Sequence, residues 1–491
     1  MSPRRRGSLA RRSAAWVLLA VVSALWVFLP GTAPAQTAAS AEPVTVTGLE
    51  AAEAAPMVAA AARTMTGGTT AVAIDDRSEG TGAVRSEFIA GGSDFIVSGV
   101  PFSDEEQAQL RAASRDIISA PVQAVGLALF GFAPSLPVFP GRCMPSDTED
   151  PGCTFFDATR YGGAVRLTPA VLADLYYERS NIWTLPELTG SLDLPADGSF
   201  LLPPIAGPRP LVRNDGDSVN LYLDRYLATT ATESRRAVLS GIPGVDPDAP
   251  PSEIWPNPIT PSRQGQDNVV AQISEGLDPG ASSKSEGGSV GGASVSAVRS
   301  AFELNATRPA AEQTGLFRAE LRNAAGEWVA PTTDSITAAV ASAAGGAMGG
   351  SVDPVPGAYP ITWVNRLYAP ATGLKPDEAN AVATIIRVQV TVGQGDVTTL
   401  LGDGRLPKAQ VDEALAAADK IVTSNCAAAK GTVVTAKGLG PFVPASTTGG
   451  LTGVKVCQAP SSSTGEDTPS VAGEEELAAF DDSSYYDDSS Y

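Results

Sequence analysis

The residues best placed to do chemistry lie between Asp76 and Phe102, in the stretch DRSEGTGAVRSEFIAGGSDFIVSGVPF. It opens on the small-residue turn Glu79-Gly80-Thr81-Gly82. A helix-compatible run follows from Ala83 to Ala90, then a Gly91-Gly92 break and the alternating, strand-like Ser93–Gly99. A small-residue loop feeding a helix start presents unpaired N–H groups and the positive end of the helix dipole, which together suit an oxyanion. The same turn–helix–strand unit also serves as plain α/β scaffolding, so it needs company. The 491 residues contain no histidine, which removes Ser-His-Asp and Cys-His catalysis, a histidine base and histidine metal ligands. Acidic pairs such as Asp75-Asp76 and Asp481-Asp482 read as turn and tail, and Trp183, Trp255, Trp328 and Trp363 read as core. An enzyme is not expected, and nothing calls for a cofactor or a metal.

The chain begins with a basic segment (Arg4, Arg5, Arg6, Arg11, Arg12), an apolar run from Ala14 to Leu29 and Ala33-Pro34-Ala35. That is the pattern of a secretory signal over residues 1–35, short for a membrane span. No cysteine follows the apolar run, so a lipid anchor is not expected, and no later segment is apolar enough to span a bilayer. About 455 residues remain, enough for two or three compact units. The net charge of −20 becomes −25 without the five leader arginines, which disfavours nucleic acid and anionic lipid as partners. Four cysteines in an exported chain suggest disulfides, most simply Cys143 with Cys153 and Cys426 with Cys457; zinc spacing is not matched.

Those residues must be positioned by alternating strands and helices. Thr45–Gly48 reads as a strand, Leu49–Met65 as a helix and Ala71–Ile74 as a strand. Ser103-Asp-Glu-Glu is a capping box starting a helix through Ile117, and Pro121–Phe132 is an apolar run fit for a buried strand. Thr168-Pro169 marks a helix start, and LVRNDGDSVNLYLDRYL at 211–227 reads as strand, turn and helix. Pro247–Pro261 is a Pro-rich loop, and the Gly/Ser-rich Gly280–Gly292 is expected to be mobile. Leu316–Val340 reads as strand, turn and a helix from Asp334, and Tyr359–Tyr368 as a strand. Pro376–Gln389 and the amphipathic Leu406–Val422 read as helices. Gly431–Val456 is β-like. Glu466–Tyr491 carries nine acidic and no basic residues and reads as a disordered tail. The alternation predicts an α/β architecture.

Six stretches in order then resemble the periplasmic phosphate-binding proteins of ABC transporters: GTGAVRSEF (80–88), SDFIVSGVP (93–101), VRLTPAVLADLYYERSNIW (165–183), VRNDG (212–216), RNAAGEWVAPTTDSITAA (322–339) and YPITWVNRLY (359–368). The resemblance spans about Val44 to Val422. It implies a two-lobe, type II periplasmic-binding-protein-like fold with ligand in the cleft. Lobe 1 would comprise 43–122 and 356–425, and lobe 2 residues 123–355. A disulfide-closed extension (426–458) and the acidic tail (459–491) would follow. Pro121–Phe132 and the region before Tyr359 would carry the crossovers. The implied function is binding of phosphate or another small solute for an ABC transporter permease, by a secreted or cell-surface monomer. The alternative is a degenerate member serving as a surface interaction protein.

For the site, the resemblance implies Thr81 as a hydroxyl donor, Arg213 as the anion-binding arginine oriented by Asp215, and Gly82, Ser98 and Ser218 beside them. Three positions depart from the family pattern. Ser98 is followed by Gly99 instead of a proton-accepting Asp, Asp217 stands where a hydroxyl belongs, and Ala52-Glu53 replace the first loop's Thr-Phe. A carboxylate within about 4 Å of a phosphate costs about 4 kcal/mol at an effective dielectric of about 20, roughly three orders of magnitude in affinity. Alternatively, Asp217 pairs with Arg213 and closes the site to anions. A cation held by Glu50, Glu53 and Asp217 is a third reading.

Overall fold

In the computed structural model of the chain, the described residues are 44–65, 72–132, 164–178, 209–275 apart from 259, 288–308, 316–342 and 354–436, with parts of 438–460. The expected signal, the Cys143–Cys153 pair, Trp183 and the acidic tail lie outside them.

In chain order the strands are β1 (Val44–Ala51), β2 (Val72–Glu79), β3 (Phe95–Ser98), β4 (Ile117–Phe132), β5 (Ala164–Leu167), β6 (Arg209–Arg213), β7 (Ser262–Arg263), β8 (Ser289–Ser294), β9 (Leu316–Arg322), β10 (Trp328–Val329), β11 (Thr362–Pro370), β12 (Thr432–Ala436) and β13 (Val454–Gln458). The helices that matter most here are α1 (Ala55–Met65), α2 (Thr81–Ile89), α3 (Asp104–Ala112), α4 (Pro169–Ala173), α5 (Ser218–Thr230), α6 (Thr232–Ser240), α7 (Gln266–Ser274), α8 (Val295–Ala306), α9 (Thr333–Ser342), α10 (Pro376–Val390), α11 (Asp396–Leu401) and α12 (Lys408–Ala428).

One mixed sheet runs in the order β2-β1-β3-β11-β4-β8-β6-β7, with β9, β5 and β10 attached through β4. It has two halves. β1 pairs parallel with β2 and β3, and β6 pairs parallel with β8 and β7. The sixteen-residue β4 joins them: Ile117–Gly126 pairs antiparallel with β11, and Leu127–Phe132 with β8. Strands buried on both faces read as continuous apolar runs, and β4 is buried at nearly every position along its length. The second joining strand is β11 itself. Trp363, near its start, is fully buried and Trp255 nearly so, while Trp328 is half-buried. The chain is thus an α/β protein of two lobes about a shared central pair of strands.

Several expectations need correction. β1 continues through Ala51, pairing along all eight residues with β2, so the first helix begins at Ala55 instead of Leu49. β2 extends to Glu79, which places Asp75 and Asp76 in the strand and not in a turn. The Ser103–Glu106 capping box is present as read, but α3 ends at Ala112, and Ser114 adopts φ 52° before β4 begins at Ile117. The stretch expected to be a mobile link through Gly292 ends as the fully buried strand β8. Its glycines serve close packing: a Cβ on Gly291 would lie 2.7 Å from Ile273 and 3.2 Å from the Leu211 carbonyl. A Gly-Gly pair that admits a helix against a sheet looks, in one dimension, like a linker. At the C-terminal side, β12 and β13 pair antiparallel, and the Cys426–Cys457 disulfide ties β13 to the end of α12.

Candidate functional site

The parallel strands of both halves end at one crevice, where open α/β sheets present loops and helix starts. β1 leads to Ala52-Glu53, β2 to Gly80 and α2, β6 to Asn214–Asp217 and α5, and β7 to Gly265 and α7. A cavity of about 460 Å³ lies among them, lined by Ala52 and Gly80 from one half and by Arg213, Asp215, Gln266 and Asp267 from the other.

Arg213, at the end of β6, is 1 % exposed. Its Nε donates to Asp215 Oδ1 (3.0 Å) and its Nη2 to Asp215 Oδ2 (2.7 Å). Its Nη1 forms an ion pair with the Asp217 carboxylate, off hydrogen-bond line, leaving Arg213 Nη1 and Asp217 Oδ2 without a hydrogen-bond partner. Burial opposes the guanidinium charge, but Asp217 and Asp215 outweigh it and hold Arg213 above the ordinary arginine range. Of the two arrangements open to Asp217, the chain takes the ion pair. Asp217 also caps α5, its Oδ1 accepting from Val219 N (2.6 Å). Burial raises its pKa against the pull of Arg213.

Glu53 is wholly buried, and Ser218 Oγ donates to its Oε1 across the crevice. Burial, then the charge of Asp217, pushes Glu53 up to about 8, against Arg213 and the Ser218 hydroxyl. Burial and the neighbouring Asp217 charge thus favour the protonated form of Glu53. No cluster of three or more His, Cys, Asp or Glu suited to a metal occurs among the described residues, and Arg213 already occupies the position a cation would share with Asp217.

Thr81 is fully buried at the first position of α2, and its Oγ1 donates to Glu253 Oε2 (2.8 Å) and Gly216 O (3.1 Å). Gly82 follows it in the first turn, 3.8 Å from Glu253 Oε2 at the position of an added Cβ. Arg85 donates through Nη2 (2.5 Å) and Nη1 (3.2 Å) to Glu253, and through Nε to Glu106 (2.9 Å). Ser98 Oγ turns back on its own chain, donating to Val100 O (2.8 Å).

The missing acid at Gly99 has a steric reason. A Cβ there would sit 2.5 Å from Trp363 Nε1 and 2.7 Å from Asn365 Oδ1. Trp363 donates to Asn365 (2.9 Å) and stacks at 4.9 Å and 4° on Tyr222, whose hydroxyl donates to Gly99 O (2.8 Å). The indole and its partners fill the space of the absent carboxylate.

Thr81, Gly82, Arg213 and Ser218 thus gather where the two halves meet, whereas the Ser98 hydroxyl is engaged with Val100 of its own loop. Each hydroxyl and the guanidinium is engaged by the chain's own groups. Neither Glu253 nor Arg85 is read as a site residue from the sequence. Arg85 lies inside the GTGAVRSEF stretch and could have been noticed one helical turn beyond Thr81. Glu253 lies 168 residues further on, in a Pro-rich loop with no local signal.

A family model described as the PBP superfamily domain matches residues 33–384. Comparison with curated proteins gives no match. Among solved structures, a high-affinity periplasmic phosphate-binding protein (PfluDING) bound with phosphate is 14 % identical, with TM-score 0.50, over 76 % of this chain and 93 % of its own. A phosphate-binding protein from Stenotrophomonas maltophilia is likewise 14 % identical, with TM-score 0.48, over 76 % of this chain and 92 % of its own. Among the described residues, no helix is long and apolar enough to cross a membrane.

Proposed function

The chain belongs to the PBP superfamily, whose members bind solutes and are not enzymes, and from that premise we propose that it is an extracytoplasmic solute-binding protein whose crevice takes a small uncharged or cationic polar solute. Delivery to an ABC-type permease is the use we assign to that binding. The observation supporting this ligand class is the state of Arg213: its fork is spent on Asp215 and its remaining edge faces Asp217. The cavity beside it carries Arg213 against Asp215 and Asp267, with Gln264, Gln266 and Asn268 as neutral donors and acceptors. An added phosphate would face the carboxylates of Asp215 and Asp267 in this cavity, whereas amides and acids suit hydroxyl or ammonium groups.

The test is a thermal-shift screen of the chain without residues 1–35 against phosphate, sulfate, neutral sugars and amides, and small amines. Stabilisation by a neutral or cationic solute that weakens in Asp267→Asn supports the reading. Stabilisation by phosphate that disappears in Arg213→Ala overturns it. No response to any solute supports the alternative, an interaction protein built on the binding-protein fold.

A further inference from the structure

The donors at the start of α2 are not idle, because a carboxylate from the other half of the sheet sits on them. The loop that carries it is fastened to the second half by its backbone. Glu253 O accepts from Asn220 Nδ2 (3.0 Å) and Asp217 N (3.1 Å). Trp255 stacks on Tyr177 at 5.3 Å and 14°. Upstream, Arg235 donates to the carbonyls of Pro247 (3.2 Å) and Ala249 (3.1 Å). From this anchored strap the Glu253 side chain crosses to the first half. There it meets a hydroxyl and a guanidinium on the first turns of a nine-residue helix, a donor set that fits a single oxyanion. The backbones also close tightly: a Cβ on Gly80 would lie 2.1 Å from Asp215 O.

We propose that Glu253 is a tethered carboxylate latch that holds the two halves closed over the crevice when no solute is present. This rests on the reading of the crevice as the solute site and adds its regulation. In a two-lobe binding protein, closure ordinarily draws on ligand contacts to both lobes. Here the chain supplies one such contact itself, so the closed form is populated without solute, and anything that must open the crevice competes with an intramolecular carboxylate. The latch is displaceable. The Glu253 side chain is 18 % exposed, against 7 % for Arg85, and the next residue, Ile254, stands 69 % exposed at the tip of the strap. An intramolecular group competes at a high effective concentration, so its removal unmasks weak affinity for free anions of the same chemistry.

The experiment is chemical rescue, using the chain without residues 1–35 as wild type, Glu253→Ala and Glu253→Gln. Hydrogen exchange is followed over residues 80–85, with sodium acetate or sodium chloride added at equal ionic strength. In wild type neither salt changes the protection. In Glu253→Ala exchange over 80–85 rises at least tenfold, and millimolar acetate, but not chloride, restores protection. Arg85→Ala in the same background removes the rescue. Glu253→Gln keeps the side-chain shape without the charge. It opens the same segment to a smaller degree and decides the question if the alanine variant does not fold. Unchanged exchange in both variants, or equal effects of acetate and chloride, overturns the latch. A silent solute screen with intact acetate rescue would remove the proposed ligand class while leaving the latch standing. A positive screen without rescue would do the reverse.

Discussion

Replacing Glu53 by glutamine isolates the energetic consequence of a buried acid at the crevice. Burial moves the Glu53 pKa from 4.5 to about 8. The unfolded chain therefore releases this proton from about pH 4.5 upward, while the folded chain keeps it until about pH 8. Wild type loses stability as pH rises through that window, at up to about 1.4 kcal/mol per pH unit. Below the window the acid is protonated in both states and contributes no pH dependence. At pH 7 the loss is about 3 kcal/mol, and above pH 8 about 5 kcal/mol, a large part of a typical domain's stability. The amide of Glu53→Gln has no proton to lose, and its carbonyl can still accept from Ser218. The assay is urea unfolding of wild type and Glu53→Gln at pH 5, 6, 7 and 8, followed by tryptophan fluorescence. The advantage of the variant should widen steadily across the series. A gap that stays constant would mean that Glu53 is ionised or solvated in the folded protein, and the picture of a neutral acid facing Asp217 would be wrong.

Restoring an acid by Gly99→Asp drives a side chain into Trp363 and Asn365; overpacking of this kind costs about 1–3 kcal/mol, and thermal melting should show a lower Tm, whereas an unchanged Tm would mean the indole moves aside freely. Burial raises Asp403 to about 7, with Gln123 as its one donor at 2.7 Å; relative to Asp403→Asn, wild type should lose about 1.4 kcal/mol per pH unit from about pH 4 to about pH 7, and parallel stability curves would contradict this. Removing the Cys426–Cys457 bridge, which closes 31 residues of sequence separation, by Cys426→Ala with Cys457→Ala should cost about 3–4 kcal/mol on the loop-entropy estimate; urea unfolding reads it, and no loss would mean the β12–β13 pair packs independently of the bridge.

What the sequence made legible was whatever depends on neighbours along the chain. The Ser103–Glu106 box is complete within four residues, and the apolar run of β4 reports burial on both faces at each position. The ordered stretches around Thr81 and Arg213 carried the family because each is a short turn between a strand and a helix. Glycines were legible only as glycines: Gly291 and Gly292 read as linker because nothing local says that Ile273 and Leu211 press on them. The crevice was half legible for the same reason. Asp217 and Glu53 were visible as intruding charges, since a carboxylate is an anion wherever it lands. Their protonation and pairing depend on burial and on Arg213, which only the fold supplies. Glu253 was hidden altogether, because its partners Thr81 and Arg85 come from the opposite half of the sheet.

The chain's own carboxylates already hold the Arg213 guanidinium and the Thr81 and Ser218 hydroxyls at this crevice. Isothermal titration of inorganic phosphate into the wild-type chain without residues 1–35, at pH 7, tests it most directly. No saturable heat up to millimolar phosphate is the predicted result. Micromolar binding that is lost in Arg213→Ala would contradict it, because Arg213 would then have to leave Asp215 and Asp217 for the ligand.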